Sequence, residues 1–176
     1  MSIIDVATMQ SPVGELTLAA NGSRVCMVHF GAATPEVIST LRRWYPDAAT
    51  EMTRDPAGAV GVLRRYFDGD LAALDEVDVE LHGTPFQRGV WTALRGIRAG
   101  TTISYMELAR RVGSPAAVRA VGAANGANPV AVVLPCHRVI GANGSLTGYG
   151  GGLDRKRWLL DHEGVIRPLF APGVKT

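Results

Sequence analysis

A chain of 176 residues, 47% hydrophobic with 10 scattered prolines, is long enough for one ordinary domain or two small ones, and it lacks the run of about 18 apolar residues that a membrane span requires. Its start, Met1-Ser-Ile-Ile-Asp-Val, has no basic region ahead of an apolar core, so no secretory signal is read and a cytoplasmic location is expected. Two cysteines, Cys26 and Cys136, are too few for a disulfide scaffold, and the net charge of +2 hides a division: residues 1–83 carry six Arg against twelve acids, net −6, whereas residues 84–176 carry twelve Lys or Arg against four acids, net +8.

Clustered cations gain by releasing counterions from phosphates, so the basic C-terminal part suits a polyanion. Taken singly, Arg88, Arg95, Arg98, Arg110 and Arg111 are equally well explained as solvated helix faces. In chain order, Ile3 to Met9, Leu16 to Ala20 and Val25 to Phe30 read as strands, the last two separated by Asn21-Gly22, a hairpin signal because both residues tolerate positive φ. Cys26 falls in the third strand; its spacing to His29 is ligand-like, but nothing nearby completes a four-ligand zinc site. Thr34-Pro35 marks a helix start, with Val37, Ile38, Leu41 and Trp44 on one face until Pro46. Asp55-Pro56 repeats the signal, Val60, Leu63 and Phe67 continue the stripe to Gly69, and Asp75 to Leu81 is expected to return as a short strand.

His82-Gly83 is the candidate junction between an N-terminal α/β domain, 1–83, and a mostly helical domain, 84–176, making the fold α+β overall. Thr84-Pro85-Phe86-Gln87 has the capping-box pattern, and Phe86, Val90, Leu94 and Ile97 form the expected inward stripe of an element ending at Gly100. Ser104-Tyr105-Met106-Glu107 is a second capping box, opening a helix to Val112 with Leu108, Ala109 and Val112 inward. Gly113 breaks it, and Ser114-Pro115 is expected to start the next helix, whose Ala120, Val121 and Ala124 present small side chains. Two short helices across a glycine turn form a helix-turn-helix pattern, which occurs in many proteins that never touch DNA. Gly141 to Gly152 is glycine-rich without a phosphate-loop motif, so no nucleotide cofactor is expected, and a final helix runs from Leu153 to Glu163, closed by Gly164.

The chemistry is expected in Val130-Ala-Val-Val-Leu-Pro-Cys-His-Arg-Val-Ile140, where strand-like apolar residues run into Pro135 and then into a nucleophile and a proton handler, Cys136 and His137. A lone buried cysteine is ordinarily an inert small hydrophobe, and apolar burial raises its pKa unless a cation or base lies close, help that His137 and Arg138 could supply. Adjacent residues do not easily bring thiol and imidazole into contact, so a bridging water is the natural link.

Pro135-Cys-His-Arg-Val139, preceded by Asn128-Pro129 and followed by Gly148-Tyr-Gly-Gly-Gly-Leu153, resembles the active-site signature of the O6-alkylguanine-DNA alkyltransferases, with the similarity running from about Thr84 to Gly164. The resemblance implies transfer of an alkyl group from guanine O6, and to a lesser extent thymine O4, to Cys136, once per molecule and without metal or cofactor. It implies a Cys136–water–His137–Glu163 relay, with Glu163 matched by the His-Glu-Gly ending of the last helix. Tyr105 matches the tyrosine that contacts the guanine and assists its protonation, Asn128 the asparagine that braces the reactive turn, and the carbonyls of Cys136 and Val139 the acceptors for the guanine amino group. Tyr149 and Gly150 match the loop over the base; Gly150 stands where other members carry Ser, leaving only its backbone N–H and widening the pocket. Arg119 matches the finger that replaces a flipped nucleotide, on a helix whose Ala120 and Gly122, with Ser114 ahead of it, would lie against the minor groove of double-stranded DNA. A monomer is implied, with cooperativity on DNA and alkyl-size preference left open. The rivals are a cysteine hydrolase using the same Cys, His and Glu, and a damage-binding relative lacking the thiol, which Cys136 argues against; the regulator type, with its N-terminal zinc-binding cysteines, is not matched.

Overall fold

The computed structural model describes residues 1–165, and Arg167 and Lys175 of the basic half lie outside them. The fold is α+β and divides into two compact units. Unit 1 comprises Met1–His82 together with Pro129–Val133; unit 2 comprises Gly83–Asn128 and the chain from Leu134 onward.

Unit 1 is built on a four-stranded sheet. β1 (Ile3–Met9), β2 (Leu16–Asn21) and β3 (Arg24–Phe30) form an antiparallel meander, and Gly22 turns the second hairpin at φ +57. Helix α1 (Pro35–Trp44) is capped by Thr34, whose hydroxyl accepts from Val37 N–H. It carries the chain to β4 (Ala49–Met52), which pairs parallel with β1 and gives the order β3-β2-β1-β4. Sequence reading missed β4: Ala49-Thr-Glu-Met52 has no buried residue, so an edge strand leaves no apolar alternation to find. One core cluster joins Ile4, Val6, Ala19, Cys26 and Met27 of the sheet to Val37 and Leu41 of α1.

Helix α2 (Ala59–Phe67) begins later than Asp55-Pro56 suggests, yet Asp55 still caps it. Its carboxylate accepts from Val60 N–H at 2.7 Å and Gly61 N–H at 3.1 Å across an intervening 3-10 turn. Tyr66, rather than Phe67, is fully buried. The strand expected over 75–81 does not form: residues 71–76 make a 3-10 helix, and only Val79 bridges to Val25. Val25 N–H donates to Asp78 O, and Glu80 N–H to Val25 O. Further along β3, Val28 pairs in the same manner with the returning segment, donating to Pro129 O and accepting from Ala131 N–H. That segment is not the strand its apolar run suggests: after the bridge at Val130 it turns, with buried Val132 at φ +69. A β-branched residue in that region costs about 1–3 kcal/mol, so the surroundings must impose it.

Unit 2 is mostly helical. α3 (Pro85–Leu94) carries the full Thr84/Gln87 capping box. Its buried face is Val90, Trp91 and Leu94, continued by Ile97, while Phe86 is 39% exposed, contrary to the expected stripe. Trp91 takes the inward place instead: its indole N–H donates to Ala124 O at 2.7 Å, and a Cβ on Gly83 would stand 2.6 Å from its ring. β5 (Ile103–Ser104) leads directly into α4 (Tyr105–Arg111). Ser104 caps α4 by accepting from Glu107 N–H, but the reciprocal half of the box is absent because the Glu107 carboxylate turns to Arg110 and Arg111. Val112 is half-buried. The turn 112–117 follows, so Ser114-Pro115 precedes rather than starts α5 (Val118–Gly126). β6 (Val139–Ile140) pairs parallel with β5, and α6 (Leu153–His162) ends the described chain. Among the described residues no helix is long and apolar enough to cross a membrane.

Candidate active site

The stretch expected to carry the chemistry is a single 3-10 turn, Cys136–Arg138, entered through Leu134-Pro135. Cys136 N–H donates to Leu134 O at 2.8 Å and Arg138 N–H to Pro135 O at 3.0 Å, so consecutive side chains radiate in different directions. All three residues are buried, with His137 fully so. Asn128 braces the turn from the end of α5: its amide N–H donates to Leu134 O at 2.7 Å and to Cys136 Sγ at 3.2 Å. Asn125, one helical turn earlier, donates to Cys136 O at 3.4 Å.

The two residues after the thiol join Glu163 in a buried cluster. His137 Nε2 sits 2.9 Å from Glu163 Oε2, and Arg138 grips both oxygens of the same carboxylate at 2.8 and 2.7 Å while donating to Ile97 O at 2.6 Å. Burial alone would push the Glu163 carboxyl up, but hydrogen bonds from Arg138 and His137 outweigh it and hold the group far below the usual carboxylate range. Burial lowers the His137 pKa, and Glu163 only partly opposes that, so the imidazole rests neutral. A neutral ring beside a carboxylate donates from Nε2, which leaves Nδ1 as an acceptor. That Nδ1 is buried and has no hydrogen-bond partner in the described protein. Burial likewise raises the Cys136 pKa, opposed by the Asn128 hydrogen bond, the Lys156 charge and a hydrogen bond from Tyr149.

The short β5–β6 ladder places Tyr105, first residue of α4, beside this turn, because Ile103 pairs with Val139 and Ser104 with Ile140. The Tyr105 hydroxyl donates to Thr147 O at 2.9 Å, and burial raises its pKa. Gly148, at φ +61, lies against Tyr105, where a Cβ would make ordinary contact with the phenol oxygen at 3.6 Å. A Cβ on Gly150 would press to 3.2 Å from Gly126 O, so that glycine serves a close approach to the end of α5.

Two family models divide the chain between them: the ribonuclease-like domain of 6-O-methylguanine DNA methyltransferase matches residues 4–81, and its DNA-binding domain matches residues 85–165. This chain belongs to the 6-O-methylguanine DNA methyltransferase family. Among relatives, the methylated-DNA–protein-cysteine methyltransferase of Mycobacterium bovis is 48% identical over 164 residues, covering 92% of this chain and 93% of its own. That of Salmonella typhimurium is 56% identical over 112 residues, covering 64% and 66%. The O6-methylguanine methyltransferase of Mycobacterium tuberculosis superposes with TM-score 0.75 at 45% identity, covering 92% of this chain and 93% of that one. A second structure from that organism, in complex with DNA, superposes with TM-score 0.74 at 44% identity over 91% and 92%.

In this family member α5 separates an inner from an outer face. Val121, Ala124 and Asn125 are buried, whereas Arg119 and Ala120 are exposed. Gly122 is half-buried against Tyr105, whose ring would stand 3.7 Å from a Cβ there. Ser114 is half-buried in the preceding turn. A cation in the first turn of a helix opposes the macrodipole, so Arg119 gains nothing locally from its position. Three site residues were not legible beforehand: Asn125, Arg138 as the clamp on Glu163, and Lys156. Lys156 is 0% exposed and donates to Val139 O at 2.6 Å and Thr147 O at 3.0 Å. Its position one turn into an amphipathic helix resembles any surface lysine, and no local pattern reveals that it points inward. The Val139 carbonyl, expected to face a ligand, thus already holds one donor. Among the described residues no group of three His, Cys, Asp or Glu could hold a metal.

Proposed function

We propose that this protein repairs DNA by moving an alkyl group from O6 of guanine, and less readily from O4 of thymine, to Cys136 Sγ, each molecule acting once. The observation that carries the proposal is the neutral His137, fixed by Glu163 through Nε2 and presenting a buried, unpartnered Nδ1 beside the thiol turn. A water between Nδ1 and Sγ would relay the thiol proton to the imidazole. The thiolate then attacks the alkyl carbon: an S–C bond forms, the C–O6 bond breaks, and its electron pair stays on the guanine, which takes up a proton with help from the Tyr105 hydroxyl. Glu163 orients the ring and steadies the imidazolium without becoming protonated, since Arg138 already commits both of its oxygens. A thioether is not hydrolysed at neutral pH, so the sulfur is not regenerated.

DNA would be bound through the outer face of the α4–turn–α5 helix-turn-helix, with Ser114, Ala120 and Gly122 near the minor-groove backbone and Arg119 filling the gap left by a flipped nucleotide. Tyr149, Gly150 and the carbonyls of Cys136 and Val139 would line the base. Supporting this reading are the DNA-binding family model and the basic excess of the C-terminal half. Residues 1–83 would serve as a separate domain, and the protein would act as a monomer in the cytoplasm.

The test is intact mass after incubation with a duplex carrying O6-methylguanine. A gain of one methyl on the Cys136 peptide is expected, and repeated demethylation without a mass change would favour a cysteine hydrolase instead. In parallel, Arg119→Ala should lose about tenfold or more in rate on duplex while reacting normally with free O6-benzylguanine, since only the duplex requires flipping. Equal losses on both would remove the finger role.

A further inference from the structure

Lys156 is the buried charge that the relay does not use. Its ammonium is fully enclosed, it forms no ion pair with a carboxylate among the described residues, and it lies 5.8 Å from the centroids of both the Tyr105 and Tyr149 rings. A buried cation is costly unless an anion answers it. The two other charges behind the turn are already matched, Arg138 to Glu163 by a bidentate pair. The one group whose negative form favours the Lys156 ammonium is the thiol of Cys136, and burial, which pushes its pKa down to about 8, is opposed by that charge alone.

We propose that Lys156 is a positioning residue for transfer: its ammonium supplies the counter-charge for the Cys136 thiolate and clamps the Val139 carbonyl to Thr147 at the start of the glycine loop. The second part follows from geometry. Thr147 O accepts from both Lys156 and Tyr105, so one carbonyl ties α4, α6 and the loop together, and the same Nζ fixes the direction of Val139 O two residues after His137. The titratable groups that interact with the ammonium are Cys136 and His137 on the turn, through its charge, and Tyr105 on α4 and Tyr149 on the loop, whose ring centroids lie 5.8 Å away. Cys136 gains from the positive charge, whereas His137, already held neutral chiefly by burial, is disfavoured as a cation by it to a small further extent. This inference rests on the transfer reaction proposed above.

The test uses the full chain with Lys156→Met, Lys156→Gln and Lys156→Arg, reading the pH dependence of Cys136 alkylation by iodoacetamide by peptide mass, the single-turnover methyl-transfer rate, and the melting temperature. Lys156→Met and Lys156→Gln should move the alkylation profile to higher pH and slow transfer by about tenfold or more. Lys156→Arg, which keeps the charge, should keep the profile near wild type even if its bulk slows transfer. A folded Lys156→Met with wild-type profile and rate overturns the proposal, and if that variant melts early, Lys156→Gln and Lys156→Arg decide on the same readouts. Failure of the wild type to gain a methyl would overturn the transfer reading instead, while the iodoacetamide profiles would still judge the counter-charge.

Discussion

The two cysteines of this chain are both buried and both free, and comparing their surroundings shows what makes a thiol useful. Cys26 lies in the core of unit 1, where burial pushes its pKa up to about 11, a hydrogen bond with Tyr45 opposes that in part, and the Glu80 carboxylate adds to the rise. Burial raises Cys136 as well. There the neighbouring charge is Lys156, the hydrogen bonds come from Asn128 and Tyr149, and a neutral imidazole follows in the chain. Burial therefore does not separate the two thiols; the sign of the neighbouring charge and the presence of a base do.

The comparison breaks most visibly at the sulfurs themselves. Cys136→Ser should lower single-turnover transfer from methylated duplex by about four orders of magnitude or more, because a neutral hydroxyl is a far poorer nucleophile. Cys26→Ser should leave the rate within about twofold and cost about 1–3 kcal/mol of stability, because a more polar hydroxyl replaces a thiol that packs as a small hydrophobe. Loss of transfer in a folded Cys26→Ser would show that the two environments had been assigned wrongly.

Next in size is Glu163→Gln, expected to slow transfer about a hundredfold by unfixing the imidazole and to destabilise unit 2 by about 3 kcal/mol because Arg138 is left buried without its anion. The pH sign follows from the depressed carboxyl. Its stabilising contribution is complete above the unfolded glutamate value of about 4.3 and is lost as pH falls below it toward the much lower folded value. Thermal melts between pH 3 and 7 should therefore show a shallower acid slope in Glu163→Gln than in wild type; parallel slopes would contradict the ion pair. The smallest effect is expected at the carboxylate of unit 1. Glu80 accepts from the Tyr45 hydroxyl at 2.6 Å and pairs with Arg24 at 2.6 Å, so Glu80→Gln should cost about 1–2 kcal/mol in denaturant melts and leave transfer unchanged. A transfer defect equal to that of Glu163→Gln would mean the two acids are not as different as their surroundings indicate.

Much of this was readable in the chain. Helix caps such as Thr34, Thr84 and Ser104 act over three residues, so their patterns survive in sequence, and the alternation in β1 to β3 reports a half-buried sheet. The signature around Cys136 named the family because spacing within one turn is local. What the chain concealed was long-range. The return of 129–133 to unit 1, the Val132 conformation and the edge strand β4 depend on pairing partners far away in sequence, and Trp91 displaced Phe86 from the inner face because the carbonyl of Ala124 was there to receive its N–H.

The sequence by itself determined which atoms could react and which elements would carry them, since nucleophile, base, caps and turns are properties of residues and their near neighbours. Only the tertiary structure decided which charges meet: that Arg138 spends itself on Glu163, that Lys156 points inward to the Val139 carbonyl, and that an acid influences Cys26 while a cation influences Cys136. Electrostatic energies depend on distance and burial across elements far apart in the chain, and no local pattern encodes them.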